Sequence, residues 1–408
     1  MKTWRHRKAG FILGLLQGDD RPAEKTGELI SALDPVISGP GKARALVKPN
    51  FNNDLPAFTG NSSDLRVLIG VIDWLKARGY KDITVADGPN VGVLRRKIDV
   101  FGLLKLRKLA DILGFRLLDL NRQPGVKIRL ETVSVRIARP VMESDVVINL
   151  PTVKTHLEAG FTSSVKNLMG TVVGNDKRKV HRDLSANLAA LAARVPTHLQ
   201  VIDGLVSMEG NGPGDGNPRK TNLLAVAEDP FEADLIISGL LGFERNEVPY
   251  LEHAFGKGWL RLDKTGDFPE WLAGRELVKA PGMPLAARIA SSRMLYPLKV
   301  IARPITDRPV VAAIAKRLGA VQDVYLNGES RAGPAKSRKD LCKMCGECSL
   351  ACPMNFSIRE VESAASNPRC ISCNYCVWAC PTGALSLFGD KGPLERVIRR
   401  YPPKFKKK

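Results

Sequence analysis

The sequence predicts two folded units: an α/β domain built on a parallel sheet with flanking helices, and a small C-terminal α+β module held together by its cysteines. Three observations carry that reading. Short β-branched runs alternate with amphipathic helical stretches over the first 275 residues, the pattern of parallel strands joined by crossover helices. All eight cysteines fall between Cys342 and Cys380. Hydrophobic residues make up 44% and charged residues 25% of the 408, which suits a globular chain and excludes a wholly disordered one, a collagen or a coiled coil.

Residues 10–17 (GFILGLLQ) read as the first buried strand. The preceding basic stretch raises a signal peptide, but the apolar core is short and runs into QGDDR without a small-residue cleavage site, so the segment is expected to stay in the fold. No apolar run approaches the ~18 residues of a spanning helix. An acidic loop then opens a helix (GDDRPAEKTGELISAL), and residues 45–47 form a second strand ending in Lys48-Pro49-Asn50. Residues 63–78 place Leu65, Leu68, Ile69, Ile72 and Leu75 on one helical face, and Gly79 stops that helix. Residues 82–86 (DITVA) and 145–150 (DVVINL) are further strands, the second preceded by a turn over 140–144. A helix over 184–194 leads into the strand 198–203 (HLQVID), and the strand 223–227 (LLAVA) into a helix over 230–241.

Open parallel sheets bind ligands beyond the carboxyl ends of their strands. Here those ends carry Asp19, Asp20 and Arg21, then Lys48 and Asn50, Asp87 and Asn90, Asn149, Lys154 and His156, and finally Asp203 and Glu209. A buried strand requires none of these. Lys154 and His156 stand together in PTVKTH, with Lys166-Asn167 following in SSVKNLMG. Lysines beside a histidine suit a carboxylate or phosphate, the histidine being able to move a proton near neutral pH. His181 reads rather as a cap or backbone partner. The Gly-rich stretch 208–218 (MEGNGPGDGNP) offers successive N–H groups to an anion, or forms a mobile loop near the site. It lacks the Gly-Lys-Ser/Thr ending of a nucleotide-binding loop, and GxGxxG and GxSxG are absent.

The cysteines are the most specific signal. CKMCGECSLACP sets Cys342, Cys345, Cys348 and Cys352 as C-x2-C-x2-C-x3-C-P, and CISCNYCVWACP repeats the spacing with Cys370, Cys373, Cys376 and Cys380. Three closely spaced thiolates wrap one iron–sulfur cubane while the fourth of each run ligates the other. Cluster I is thus expected on Cys342, Cys345, Cys348 and Cys380, and cluster II on Cys370, Cys373, Cys376 and Cys352. Zinc sites usually use two separated C-x2-C pairs, and disulfides would be scattered through the fold. The stretch resembles a bacterial-type ferredoxin domain with two [4Fe-4S] clusters, which places the chain in a reducing compartment and is read as cytoplasmic.

The rest of the chain resembles a second known family. KPNFNN, ITVADGPN, DVVINLPTVKTH, SSVKNLMG, VIDGLVSMEGNGP and AEDPFEADLIISGLLG occur in the order seen in domain of unknown function 362, whose members are often fused to this ferredoxin domain. The resemblance implies site roles for Lys154, His156, Lys166, Asn167 and Glu209. Phe231-Glu232 departs from the small apolar residues usual after Asp-Pro, which bears on helix packing. Together with Asp87, the candidate catalytic set is Lys154, His156, Lys166, Asp87 and Glu209.

The expected organisation is an α/β domain over 1–275, a basic helical connector over 276–334, the ferredoxin-type domain over 335–389 and a basic disordered tail over 390–408. Lysine plus arginine number 62 against 42 acidic residues, a net charge of +20, which points to an anionic partner. Much of the excess sits in the connector and tail. An acidic redox partner such as a ferredoxin or flavodoxin, an anionic small molecule and a peripheral membrane contact all fit. No nucleic-acid-binding module is recognisable. The expected function is an iron–sulfur redox protein whose two clusters exchange electrons with a substrate or partner at the α/β site. The alternative is an electron carrier without substrate chemistry of its own.

Overall fold

The computed structural model describes residues 1–41, 43–281, 332–336, 338–356, 367–392 and 394–402. Most of the connector (282–331) and the lysine-rich end (403–408) therefore lie outside the described residues.

Ten strands form the main sheet: β1 (Lys2–Arg5), β2 (Phe11–Leu15), β3 (Arg44–Pro49), β4 (Asp82–Asp87), β5 (Arg116–Asp119), β8 (Val146–Leu150), β9 (Thr152–His156), β10 (Gly160–Thr162), β11 (Leu199–Glu209) and β12 (Asn217–Ala227). A separate antiparallel pair, β6 (Gly125–Arg129) and β7 (Ser134–Ala138), lies between β5 and β8 in the chain. The order across the main sheet is β1-β2-β12-β11-β8-β3-β4-β5, with β9 and β10 branching off β11. Strands β11, β8, β3, β4 and β5 run parallel. The parallel strands form the centre of a mixed sheet: β1 is antiparallel to β2, β12 to both β11 and β2, and β10 to β9. Only residues 210–216 separate β11 from β12, far too few for a parallel crossover of a dozen or more, so the Gly-rich stretch is the bend of a hairpin.

Period-2 alternation sends each strand's side chains into two cores. Leu46, Val147, Ile202 and Ala225 face one, and Val47, Ile148, Val201 and Leu224 the other. Helices α1 (Pro22–Leu33) and α2 (Leu65–Ala77) cover the second face through Leu29, Ile30, Leu68 and Ile72. The helices Leu184–Ala192 and Pro230–Leu240 cover the first. Asp64 caps α2 by accepting from the Arg66 N–H, and Gly79, at φ +87°, takes the left-handed turn just beyond it. Phe231 is buried in the first core, so the departure after Asp-Pro is indeed a matter of packing.

Among the described residues the cysteine module has the short helices Glu347–Leu350 and Tyr375–Ala379 and an antiparallel pair, β13 (Gly333–Lys336) with β14 (Leu385–Phe388). Its Ala351, Met354, Ile371 and Tyr375 are buried in the same core as α1 and α2, so it is seated on the α/β domain. The expectation of disorder from residue 390 onward is corrected: residues Leu394–Arg400 form a helix. Leu394, Val397 and Tyr401 recur at helical spacing and pack on Leu55, Phe58 and Trp378, an apolar stripe that the surrounding charge concealed.

Candidate functional site

Strands β3, β4 and β9 end at one cavity of about 390 Å³. Lys48 and Asn50 come from the end of β3, Asp87 from β4, and Lys154 and His156 from β9. Lys166, Asn167 and Gly170 come from the short helical segment after β10, Lys177 and Arg178 from the next, and Asn211–Gly214 of the hairpin bend close one wall. Four of the five expected residues, Lys154, His156, Lys166 and Asp87, thus meet.

The fifth does not. Strand β11 is eleven residues long and runs past the sheet edge, so Glu209 sits on the hairpin, where it pairs with Arg219 at 3.4 Å and accepts from the Val278 N–H at 3.1 Å. The Asp19-Asp20-Arg21 turn also lies elsewhere: Asp20 accepts from the Gln17 N–H, and Arg21 reaches Asn355 of the cysteine module. Asp203 accepts from the N–H groups of Asp64 and Leu205. Lys177, Asn121 and Thr162 were not among the expected site residues. In the run DKRKVH, Lys177 looks like any exposed helix lysine, yet it is 5% exposed, and only the tertiary fold distinguishes it from its neighbours.

A continuous polar chain lines the cavity floor. Asp87 accepts from Lys48 Nζ at 2.7 Å, from its neighbour Gly88 N–H at 2.8 Å and from Phe51 N–H at 2.7 Å. Lys48 Nζ also donates to Asn167 Oδ1 at 3.1 Å, which accepts from Asn50 Nδ2 at 2.8 Å. Asn50 Oδ1 in turn accepts from Lys154 Nζ at 2.7 Å, and the Asn61 carbonyl takes a second bond from the same amine. Lys177 donates to Asn121 Oδ1. The amines are therefore held by neutral carbonyl oxygens, with one carboxylate, Asp87, paired to Lys48.

Burial dominates their ionisation. Desolvation pulls Lys154 and Lys177 down to about 7 and Lys166 to about 8, and lowers Lys48 against the pull of Asp87. Desolvation, then the nearby Lys166, drives His156 well below its ordinary value. Its Nδ1 accepts from the Glu158 and Ala159 N–H groups at 3.0 and 3.2 Å, so the neutral ring carries its proton on Nε2. Glu158, paired with His181 at 3.0 Å, falls to about 2, the His181 bond being the main cause. The Thr162 hydroxyl is buried without a hydrogen-bond partner. Such a set offers ammonium, imidazole N–H and hydroxyl donors to an anion and leaves the cavity under-charged without one.

Lys166 is fixed from behind. Asp234, on the helix Pro230–Leu240, accepts from the Ser164 and Val165 N–H groups at 2.6 and 3.0 Å and from the Tyr250 hydroxyl at 2.8 Å. Gly170 has no room for a side chain, since a Cβ there would lie 2.2 Å from Asp87 Oδ1.

The cysteines fall into two groups. Cys342, Cys345, Cys348 and Cys380 line one small cavity in the module. Cys352, Cys370, Cys373 and Cys376 gather beside the α/β domain: burial raises Cys373 and Cys376, and the charges of Cys352 and Cys370 raise both further. Thiolates so crowded need cations among them, and cluster irons supply that charge. The donor sets fit two cubanes, four thiolates each. Among the described residues no three ligand-type side chains close on a single-ion point. Thiolates that each take a different iron of a cubane need none.

A three-layer α/β domain carrying a two-cluster cysteine module defines an iron–sulfur protein of ferredoxin type with a second, cavity-bearing domain. The chain belongs to the family described as domain of unknown function (DUF362), which matches residues 45–238, and its residues 335–381 match the 4Fe-4S dicluster domain. The latter match gives the chain two [4Fe-4S]-type clusters. It is 30% identical over 260 residues to the thylakoid-associated protein sll1697 of Synechocystis sp., covering 59% of this chain and 74% of that protein. It is 32% identical over 82 residues to the formate dehydrogenase iron-sulfur subunit of Wolinella succinogenes, 18% of this chain and 40% of that one. Among solved structures, the lactate racemase apoprotein of Thermoanaerobacterium thermosaccharolyticum matches with a TM-score of 0.33 and 10% identity. The match covers 50% of this chain and 52% of that one, about half of the racemase, and at that score it carries no argument. No helix among the described residues is long and apolar enough to cross a membrane.

Proposed function

We propose that the protein is an iron–sulfur redox protein that holds an anionic small molecule, bearing phosphate or carboxylate groups, in the lysine-lined cavity, and that its clusters exchange electrons with that molecule or with a partner bound there. One observation carries this reading: Lys48, Lys154, Lys166 and Lys177 surround a single cavity with one carboxylate, Asp87, among them. Burying ammonium groups without matching charge is costly, and a bound anion removes that cost. The clusters, when bound, supply one-electron transfer. Lys166 and Lys177 take the anion's charge, His156 donates from Nε2 to one of its oxygens, and the amides of Asn50, Asn121 and Asn167 keep the amines aimed. The Asn211–Gly214 wall limits water.

Calorimetry on the anaerobically loaded protein, with inorganic phosphate, pyrophosphate and citrate as probes, tests the proposal. At least one should bind at pH 6.5, and at pH 8 binding should take up protons, because an anion re-protonates amines whose pKa values lie near 7 to 8. Lys166→Met should weaken binding at least about tenfold, the ~1.4 kcal/mol of one charged contact. If none of the three binds, the carrier reading takes its place. That reading has its own support in the likeness of 82 residues of the chain to a formate dehydrogenase iron-sulfur subunit and in the exposure of Cys345.

A further inference from the structure

We infer that the loop of residues 50–64 couples the lysine cavity to the inner cysteine group (Cys352, Cys370, Cys373, Cys376), so that an anion in the cavity shifts the potential of the cluster held there and leaves the outer one almost unmoved. This rests on the reading of the cavity as an anion site.

One loop touches both places. On the cavity side, Asn50 Oδ1 and the Asn61 carbonyl hold the Lys154 amine, and the Phe51 N–H donates to Asp87 at 2.7 Å. On the other side, Phe58 stacks on Trp378 with ring centres 4.1 Å apart and 18° between planes, and meets Tyr375 edge-on at 6.1 Å. Just past the loop, the Leu65 N–H donates to the Tyr375 hydroxyl at 3.4 Å. Tyr375 lies between Cys373 and Cys376 in the chain, and Cys373 shares a gap of about 50 Å³ with Phe51 itself.

The two cysteine groups differ in their surroundings. Phe51, Ala351, Met354, Ile371 and Tyr375 belong to one continuous core, and Cys352 and Cys373 pack against it. The outer group rests on a second, small core of Val377, Ala384 and Leu385, which Cys376 of the inner group also joins, with Cys345 and the neighbouring Met344 exposed. Charges act strongly across packed apolar side chains and weakly across water and salt. An anion adds negative charge at one end of this loop, and reduction of the inner cluster adds more at the other. The inner potential therefore falls when the cavity fills. By reciprocity, reduction weakens anion binding by the same factor, and a tenfold factor corresponds to 59 mV for a one-electron couple.

Redox titration of the loaded protein at pH 6.5, followed by electron paramagnetic resonance with and without pyrophosphate, reads this directly. Cys345→Ser marks the outer cluster's signal. We expect the inner potential to fall by 59 mV or more, a tenfold coupling, and the outer one to move by less than a third as much. Lys166→Met should raise the pyrophosphate concentration that gives half of the shift at least about tenfold. Phe58→Leu, which touches the module and not the cavity, should shrink it while leaving pyrophosphate affinity of the oxidised protein unchanged. Pyrophosphate that binds by calorimetry yet moves neither cluster, or both equally, overturns the coupling and leaves the anion site standing. Absence of pyrophosphate binding removes this inference together with the anion reading for that probe class.

Discussion

A lysine amine drawn partly out of water is a cost to the fold, and Lys166, whose desolvation the nearby Glu158 offsets only in part, is such a residue. Its pKa of about 8 lies below the ordinary 10.5 of the unfolded chain. The unfolded state therefore binds more protons between these values, and the stability of the ligand-free protein rises with pH through that window. Below pH 8 the penalty is fully present. Lys166→Met should raise ligand-free stability at pH 6.5 by about 1–3 kcal/mol, since one pKa unit is ~1.4 kcal/mol, and flatten the rise of melting temperature between pH 7 and 10. The same variant should lose stabilisation by pyrophosphate. A melting temperature that drops at pH 6.5 would show that Lys166 supports the fold rather than a ligand. At this scale the sequence was informative wherever strand ends could be located: Asp87, Lys154, His156 and Lys166 follow from topology alone. Lys177 did not, because nothing local separates a buried lysine from an exposed one in a basic run. Glu209 was misplaced because the length of β11 is set by its hairpin partner.

Secondary-structure elements were legible through periodicity, and their partners less so. The strands at 45–47 and 82–86 appear within β3 and β4, that at 145–150 matches β8 to one residue, and the stop at Gly79 follows from its backbone freedom. Strand direction for β12 depended on connection length, a signal present in the sequence but weaker than the β-α alternation around it. The short segment Ser164–Asn167 is too brief to stand alone, and the carboxylate of Asp234 anchors it. Beyond it, Gly170→Ala would push a methyl group into Asp87 and Lys48. We expect that change to cost about 1–3 kcal/mol of stability, the usual penalty of overpacking, and to displace the Lys48–Asp87 pair. Thermal unfolding together with pyrophosphate calorimetry checks both parts. A variant with unaltered stability and affinity would mean that the cavity floor is far looser than its hydrogen bonds suggest.

For the molecule as a whole, the anaerobically purified protein should carry about eight iron and eight sulfide per chain. Cys352→Ala should damage the inner cluster and spare the outer one, although Cys352 belongs to the outer run. Iron analysis and paramagnetic spectra decide between this and the uncrossed assignment. The charge excess concerns partners. Lys343, exposed beside Cys342, is suited to an acidic electron donor, and Lys343→Glu should slow reduction by such a donor at low salt, with the difference vanishing as salt screens the encounter.

The helix Leu394–Arg400 has a consequence for the order of events during synthesis. Its neighbour Tyr401 donates its hydroxyl to the Gly216 carbonyl at 2.9 Å, and Arg400 pairs with Asp215, while Trp378 Nε1 donates to the Tyr401 carbonyl. A clasp made 185 residues later in the chain thus fastens the hairpin that walls the cavity. On the ribosome the α/β sheet can form early and holds this wall through Asn61, which donates to the Pro213 carbonyl at 2.8 Å, and Leu157, whose N–H donates to the Gly212 carbonyl. The second fastening, at residues 215 and 216, is added only when the cysteine module and the helix behind it have emerged. Chains arrested before residue 394 should be cut by protease at residues 215–216 faster than full-length chains, so the wall of the cavity is tightened last, on molecules that have completed the cysteine module.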